Sequence, residues 1–235
     1  MNNCHIIMPV KDAFQSARQS IEAIVNSGFT LTVYNDFSTI ENTLLLEQLS
    51  QELHFTLINL SELTTHPSPN YLFVLQHAQS TALRDNTHLI IIESDVIVRN
   101  DTIRALINAA ENGSDLGMVA AITNDDDGQV NFPYLYARKW EKKPTLTRKR
   151  LSFCCTLLTN RLLQAYSFQN LDPDRQWHDV YISHKSLKLG FKNLLLCDSP
   201  AVHRPHQSRP WKLLKYTNPL KYYWLKICGV WNDKC

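Results

Sequence analysis

The sequence predicts an α/β fold with a mostly parallel central sheet flanked by helices, and three observations carry that prediction. Short β-branched runs alternate with helical periodicity through the first half, the pattern of βα units. The continuous apolar run His88 to Ile92 has the character of a central strand covered on both faces. That run stops at Glu93-Ser94-Asp95, so carboxylates stand at a strand's C-terminal end, where open α/β sheets bind ligands.

Taken in order, His5-Ile6-Ile7-Met8 forms the first strand and Pro9, which has no N–H, is expected to end it. Ala17, Ile21, Ile24 and Val25 share one helical face, and Gly28 stops that helix. Thr30 to Tyr34 is the second strand, followed by the polar turn Asn35-Asp36-Phe37-Ser38-Thr39. A helix carrying Leu45, Leu49 and Leu53 leads to a third strand, Phe55 to Leu60. Two prolines break the loop Thr64 to Pro69 before a helix around Leu75 to Leu83. After the central strand, Asn100 is the expected cap of a helix with Ile103, Leu106, Ile107 and Ala110 inward and Gly113 at its end.

The second half is less regular. Gly117 to Ile122 reads as a strand, and residues 124–150, polar, aromatic and basic without a period, are expected to form an excursion or flap. Order returns at Leu151 to Thr159, then in a short helix from Asn160 to Tyr166, a helix from about Asp179 to Leu189 and a strand at Asn193 to Cys197. This divides the chain into a main domain, 1–205, and a basic, aromatic extension, 206–235.

With 235 residues, 44% of them apolar and 20% charged, the chain can bury a sizeable core. A formal charge of +2 lacks the basic stripe of a nucleic-acid binder, so no nucleic-acid partner is expected. The amino terminus has no basic region followed by a long apolar stretch, and no window approaches the ~20 apolar residues that span a bilayer. A soluble, cytoplasmic protein is expected. The six cysteines are scattered without a CxxC pair, which points to reduced thiols and away from a structural zinc site; Cys154 and Cys155 read as buried core.

The strongest local signal is Glu93-Ser94-Asp95. Mg²⁺ and Mn²⁺ prefer oxygen ligands and are commonly held by one or two carboxylates plus substrate phosphates, an arrangement suited to a nucleoside diphosphate. Solvated acids at a strand end are the alternative for this short motif. Asp125-Asp126-Asp127-Gly128 lacks calcium-loop spacing and reads as a solvated turn with no metal. Arg148-Lys149-Arg150 reads as a solvated charge run that would otherwise face diphosphate or an anionic acceptor. The stretch 209–227 mixes lysines with aromatics and leucines, which fits contact with an anionic membrane surface, a packed terminal helix or a dimer contact.

Five short motifs occur in a telling order: Ile6-Ile7-Met8-Pro9-Val10; Val33-Tyr34-Asn35-Asp36-Phe37-Ser38-Thr39; Glu93-Ser94-Asp95; Trp177-His178-Asp179-Val180-Tyr181-Ile182-Ser183 running to Gly190; and Ser199-Pro200-Ala201-Val202-His203. In this order the chain resembles the inverting glycosyltransferases of family 2, over roughly residues 5–205. The resemblance implies a GT-A, Rossmann-like fold and a hexosyltransferase-like enzyme. It would move one sugar from a nucleotide-sugar, UDP-linked in most of the family, to a glycan or lipid-linked acceptor of polysaccharide or lipopolysaccharide synthesis.

Carried over residue by residue, it implies that Pro9, Val10, Asn35, Asp36 and Ser94 line the nucleotide site. Asp95, with Glu93 and His203, would hold Mn²⁺ or Mg²⁺, and Asp179 would be the general base, with Asp172 and Asp174 as rivals close in sequence. Departures are Asn35 for an aspartate, Phe37 for a glycine and Glu93 for the first aspartate of D-x-D. Two other readings stand beside it: a degenerate GT-A domain that binds without turnover, and a sugar-phosphate nucleotidyltransferase. Against the second, Pro9-Val10-Lys11-Asp12-Ala13 has no glycine for a phosphate loop. The expected location is the cytoplasm, with peripheral contact at the inner face of the membrane through 209–227 as the alternative.

Overall fold

The computed structural model describes residues 4–174, 177–204, 218, 220–222 and 224. The chain divides into two compact units, Met1–Arg204 and Pro205–Cys235. Of the second unit, 220–222 and 224 are helical. Most of 209–227 lies outside the described residues, as does the question of what that stretch contacts.

The first unit is built on one nine-stranded sheet. Its strands are β1 (Cys4–Val10), β2 (Thr32–Asn35), β3 (Thr56–Asn59), β4 (His88–Ile92), β5 (Val96–Ile97), β6 (Leu116–Asn124), β7 (Pro144–Thr147), β8 (Cys155–Leu158) and β9 (Lys192–His203). The order is β3-β2-β1-β4-β8-β6-β9-β5, with β7 also paired to β9. β1, β2, β3, β4, β6 and β9 run one way, and β5, β7 and β8 run against them. This is the expected α/β, Rossmann-like, mostly parallel arrangement.

Among the described residues of this unit six α-helices cover the sheet: α1 (Phe14–Asn26), α2 (Ile40–Leu53), α3 (Tyr71–Arg84), α4 (Thr102–Asn112), α5 (Asn160–Ala165) and α6 (His178–Lys188). Strand side chains alternate between two buried layers, as a period of two requires. Ile6, Met8, Ile90, Ile92, Val119 and Ala121 pack with Ile21, Leu46 and Leu106 from α1, α2 and α4. Ile7, Leu89, Ile91, Met118 and Ala120 pack with Leu75, Leu163 and Ile182 from α3, α5 and α6. Two covered faces explain why β4 is buried at every position and apolar from Leu89 to Ile92.

Several boundaries differ from the sequence expectation. β1 runs through Pro9 to Val10, because β1 pairs with β4 only as far as Ile7 and the missing N–H falls beyond that ladder. Asn100 does not cap α4. The cap position is Asp101, without a side-chain bond, and Thr102 Oγ instead accepts from Arg99 N–H at 3.2 Å. α6 begins one residue early, at His178. Within the irregular 124–150 stretch, β7 adds an edge strand to β9, with proline at its first position where no donor is needed. β5 is two residues long, too short for a periodicity to register.

Candidate active site

The C-terminal ends of β1, β2 and β4 lie side by side. The first two are laced together: Asp36 N–H donates to Val10 O at 2.8 Å, Thr39 N–H to Asp12 Oδ1 at 2.7 Å and Asp12 N–H to Ser38 Oγ at 3.0 Å. Phe37, where the resemblance puts glycine, has φ 54, the left-handed conformation that favours glycine. The Phe37 ring is partly buried against the core. Asn35 donates through Nδ2 to Thr43 and Asn59, both at 2.9 Å. An ionised aspartate has no such donors, which accounts for that departure.

Asp36 is buried, and its carboxylate grips the loop before α3. It accepts from Ser68 Oγ at 2.8 Å, Asn70 N–H at 2.9 Å and Asn70 Nδ2 at 2.8 Å. A carboxylate offers about four lone-pair sites, so roughly one remains for a ligand.

Two antiparallel pairings assemble the charged cluster at the end of β4. Register Ile92↔Cys155 between β4 and β8 continues for one step, with Glu93 N–H donating to Cys154 O at 3.0 Å. The Cys154 thiol consequently reaches Glu93 Oε2, at 3.2 Å. Register Val96↔His203 between β5 and β9 sets His203 Nε2 3.5 Å from Asp95 Oδ2, both side chains buried. His203 Nδ1 lies 2.6 Å from Phe132 O; a carbonyl only accepts, so Nδ1 carries the proton and Nε2 faces the cluster. Asn131 Nδ2 donates to His203 O at 2.8 Å, so the 124–150 excursion braces this histidine. Ser94 sits between the two acids, and its carbonyl accepts from Ser20 Oγ at 3.1 Å.

Asp179 occupies the first turn of α6, where its Oδ1 accepts from Val180 N–H at 2.8 Å. Its charge acts on both Glu93 and Tyr71. Burial lifts the Asp179 carboxyl above its ordinary 3.8, against the opposing pull of the Val180 N–H and the Arg150 cation. Arg150 is half-buried, unlike the exposed Arg148 and Lys149, so the basic run is divided in its environment. Asp172 and Asp174 are exposed, and Asp172 accepts from Asp174 N–H at 3.0 Å.

The cluster is electrostatically crowded. Glu93 is raised by burial and then by Asp95, and the Cys154 thiol is pushed well above 9.0 by burial and then by Glu93. Burial alone would lower His203, but its hydrogen bond to Asp95, the charges of Asp95 and Glu93 and the Phe132 carbonyl together outweigh that and raise it above 6.5. A divalent cation among these groups would favour their deprotonated forms and so oppose the upward shifts of Glu93, Cys154 and His203. Glu93, Cys154 and His203 each offer a ligand atom within 4.8 Å of the others, so the residues fit a metal ion.

Cys154 and Tyr71 were not legible as site residues. Cys154 is buried, as expected of core, yet its sulfur belongs to this cluster. Tyr71, at the start of α3, stacks on His178 with ring centroids 6.3 Å apart. Its buried hydroxyl has no hydrogen-bond partner among the described residues, and it is raised by burial and then by the charges of Glu93 and Asp179. Nothing in a helical apolar pattern separates such a tyrosine from core. The Asp125–Gly128 segment is the expected exposed turn, with Asp125 Oδ1 accepting from Asp127 and Gln129 N–H.

No curated protein matches the chain by sequence. Among solved structures it is similar to GalNAc-T7 with UDP, GalNAc and Mn²⁺ (TM-score 0.65, 11% identity, 88% of this chain and 45% of that one). It is also similar to S. aureus TarS 1-349 in complex with UDP (0.61, 10%, 92% and 64%). A third is glucosyl-3-phosphoglycerate synthase from Mycobacterium tuberculosis with phosphoglyceric acid (0.53, 14%, 99% and 82%). At these identities the likeness is one of fold, and the chain spans less than half the length of the first structures it matches. The family model "Glycosyl transferase family 2" matches residues 5–169, stopping short of Asp179 and His203. That match covers well over half of the sequence, and the chain belongs to glycosyl transferase family 2.

Proposed function

We propose that the chain is a metal-assisted, inverting glycosyltransferase that moves one sugar from a nucleoside-diphosphate donor to a hydroxyl of a glycan or glycolipid acceptor. The observation that carries this reading is the meeting of Glu93, Asp95 and His203 at the strand ends with Asp179 close enough to act on Glu93. UDP is the favoured donor nucleotide, since UDP is bound by two of the similar structures.

Pro9, Val10 and the Asn35–Asp36 turn would wall the nucleoside, the turn being held by the lacing between β1 and β2. Glu93, Asp95 and His203 would hold the cation, Mn²⁺ or Mg²⁺ in the simplest form. Bound there, it would supply positive charge against the diphosphate as the glycosidic bond breaks. Asp179 would accept the proton of the acceptor hydroxyl as that oxygen attacks the anomeric carbon from the face opposite the diphosphate. Its raised affinity for a proton suits this role better than that of a solvated aspartate. Fixing Nδ1–H on Phe132 O keeps His203 Nε2 aimed at the cluster. No helix among the described residues is long and apolar enough to cross a membrane.

The test is binding of UDP and GDP to the purified protein with and without Mn²⁺. Wild type is expected to bind UDP more tightly with the ion, and Asp95→Ala is expected to lose that dependence. Absence of nucleotide binding in every condition overturns the reading.

Tyr71 supplies a second test. A buried hydroxyl without a partner costs about 1–3 kcal/mol, so Tyr71→Phe is expected to leave stability unchanged or raise it. If that hydroxyl instead serves the substrate between Glu93 and Asp179, kcat falls by roughly tenfold, the equivalent of one hydrogen bond in the transition state. Stability from urea midpoints and kcat from transfer assays read the two effects separately. An unaltered kcat removes Tyr71 from the site.

A further inference from the structure

We infer that Cys154 is a metal ligand, and that Glu93, Cys154 and His203, with Asp95 alongside, form a site that selects a borderline-soft divalent cation such as Zn²⁺ over Mg²⁺. This rests on the metal-assisted reading above and deepens it by naming the kind of metal.

Glu93, Cys154 and His203 present an oxygen, a sulfur and a nitrogen within 4.8 Å of one another. Asp95 Oδ2 adds a second oxygen, 3.5 Å from His203 Nε2. Tetrahedral bonds of ~2.0–2.3 Å set neighbouring donors roughly 3.3–3.7 Å apart. The observed Cys154 Sγ to Glu93 Oε2 separation of 3.2 Å and the 3.5 Å between His203 and Asp95 lie at that scale.

The surroundings support the same conclusion. A metal-bound histidine commonly donates its other N–H to a backbone carbonyl, and His203 does this to Phe132 O at 2.6 Å. Ser152 Oγ lies 3.5 Å from Cys154 Sγ, an outer partner for the sulfur. Cys154 is held in place by backbone, since its carbonyl accepts from Glu93 N–H at 3.0 Å. Magnesium and manganese favour all-oxygen shells, whereas thiolate sulfur selects softer ions and imidazole suits zinc. A mixed O, S and N cluster therefore moves the preference toward zinc.

The competing account is that Cys154 only donates a hydrogen bond that orients Glu93. Cys154→Ser separates the two, because serine retains an O–H donor and gives up the soft ligand. The parent for all comparisons carries Cys228→Ser and Cys235→Ser, so that thiols of the terminal segment do not contribute. Co²⁺, a spectroscopic stand-in for Zn²⁺, is titrated into the full chain without nucleotide. The parent is expected to show a near-ultraviolet sulfur-to-cobalt charge-transfer band that Cys154→Ser lacks. Zn²⁺ affinity is expected to fall at least about 100-fold in Cys154→Ser, more than the ~10–100-fold that loss of an outer-shell partner costs, with Mg²⁺ affinity unchanged.

X-ray absorption of the Zn²⁺-loaded parent needs no further variant and is expected to show one sulfur at ~2.3 Å. No charge-transfer band in the parent, the same band in Cys154→Ser, or a zinc shell without sulfur overturns the inference. Nucleotide binding is scored separately. Metal-dependent UDP binding without a sulfur ligand leaves the proposed function standing and removes this inference; a sulfur ligand without any nucleotide binding does the reverse.

Discussion

Asp179→Asn is expected to slow transfer by about 10²–10⁴-fold, the usual contribution of a positioned general base, while leaving nucleotide binding within a few-fold of wild type. The carboxylate is the acidic group in the first turn of α6, and burial holds its proton affinity above that of an ordinary aspartate. The acid limb of kcat/KM therefore lies above pH 3.8, with the wild-type rate falling as pH drops through the raised value. A variant that keeps more than a tenth of the rate, or an acid limb at the ordinary value, removes Asp179 from the role of base.

The same shift has a stability consequence of definite sign. A raised folded-state value means that the folded protein favours the protonated carboxyl. That contribution is fully present below the unfolded 3.8 and is lost as pH rises through the folded value. At neutral pH the ionised, half-buried Asp179 is therefore a destabilising charge. Asparagine removes it, so the variant is expected to unfold at higher urea than wild type at pH 7, with the gap closing in acid. A less active and more stable variant is the pattern of a site whose chemistry is retained at a cost in stability.

Asp36→Ala is expected to be the most destabilising change at the strand ends, by ~2–4 kcal/mol, because it strands buried donors as well as deleting bonds. Asn70 N–H, Asn70 Nδ2 and Ser68 Oγ all donate to this carboxylate, and both Asp36 and Asn70 are buried. For a chain of this size that corresponds to a fall in Tm of roughly 5–15 °C. Asp36→Asn retains one acceptor oxygen and is expected to fall between. The measurement is thermal unfolding followed by circular dichroism, with UDP affinity in parallel. A loss of affinity without a loss of Tm would make Asp36 a ligand contact first and a loop anchor second.

The sequence carried much of the fold because its signals are local. The runs at β1, β2 and β4 and the faces of α1 and α4 follow from periods of two and 3.6 residues, each read within a single element. The carboxylates at the end of β4 were legible for the same reason, since a strand end and its next three residues form one segment. Asp179 was legible as an acid at a helix start. Features with short or interrupted periods were not: the two-residue β5, the edge strand β7 opened by proline, and the passage of β1 through Pro9.

Alone, then, the amino-acid sequence determined the α/β class, the covered central strand and the acids at the end of β4, because hydrophobic alternation and strand ends are written in neighbouring residues. Tertiary structure decided which distant residues complete the site. Antiparallel β8 brings Cys154 across from Glu93, 61 positions away, and the β5–β9 pairing brings His203 beside Asp95. Both depend on strand register, and register is set by the packing of whole layers, which no local pattern records.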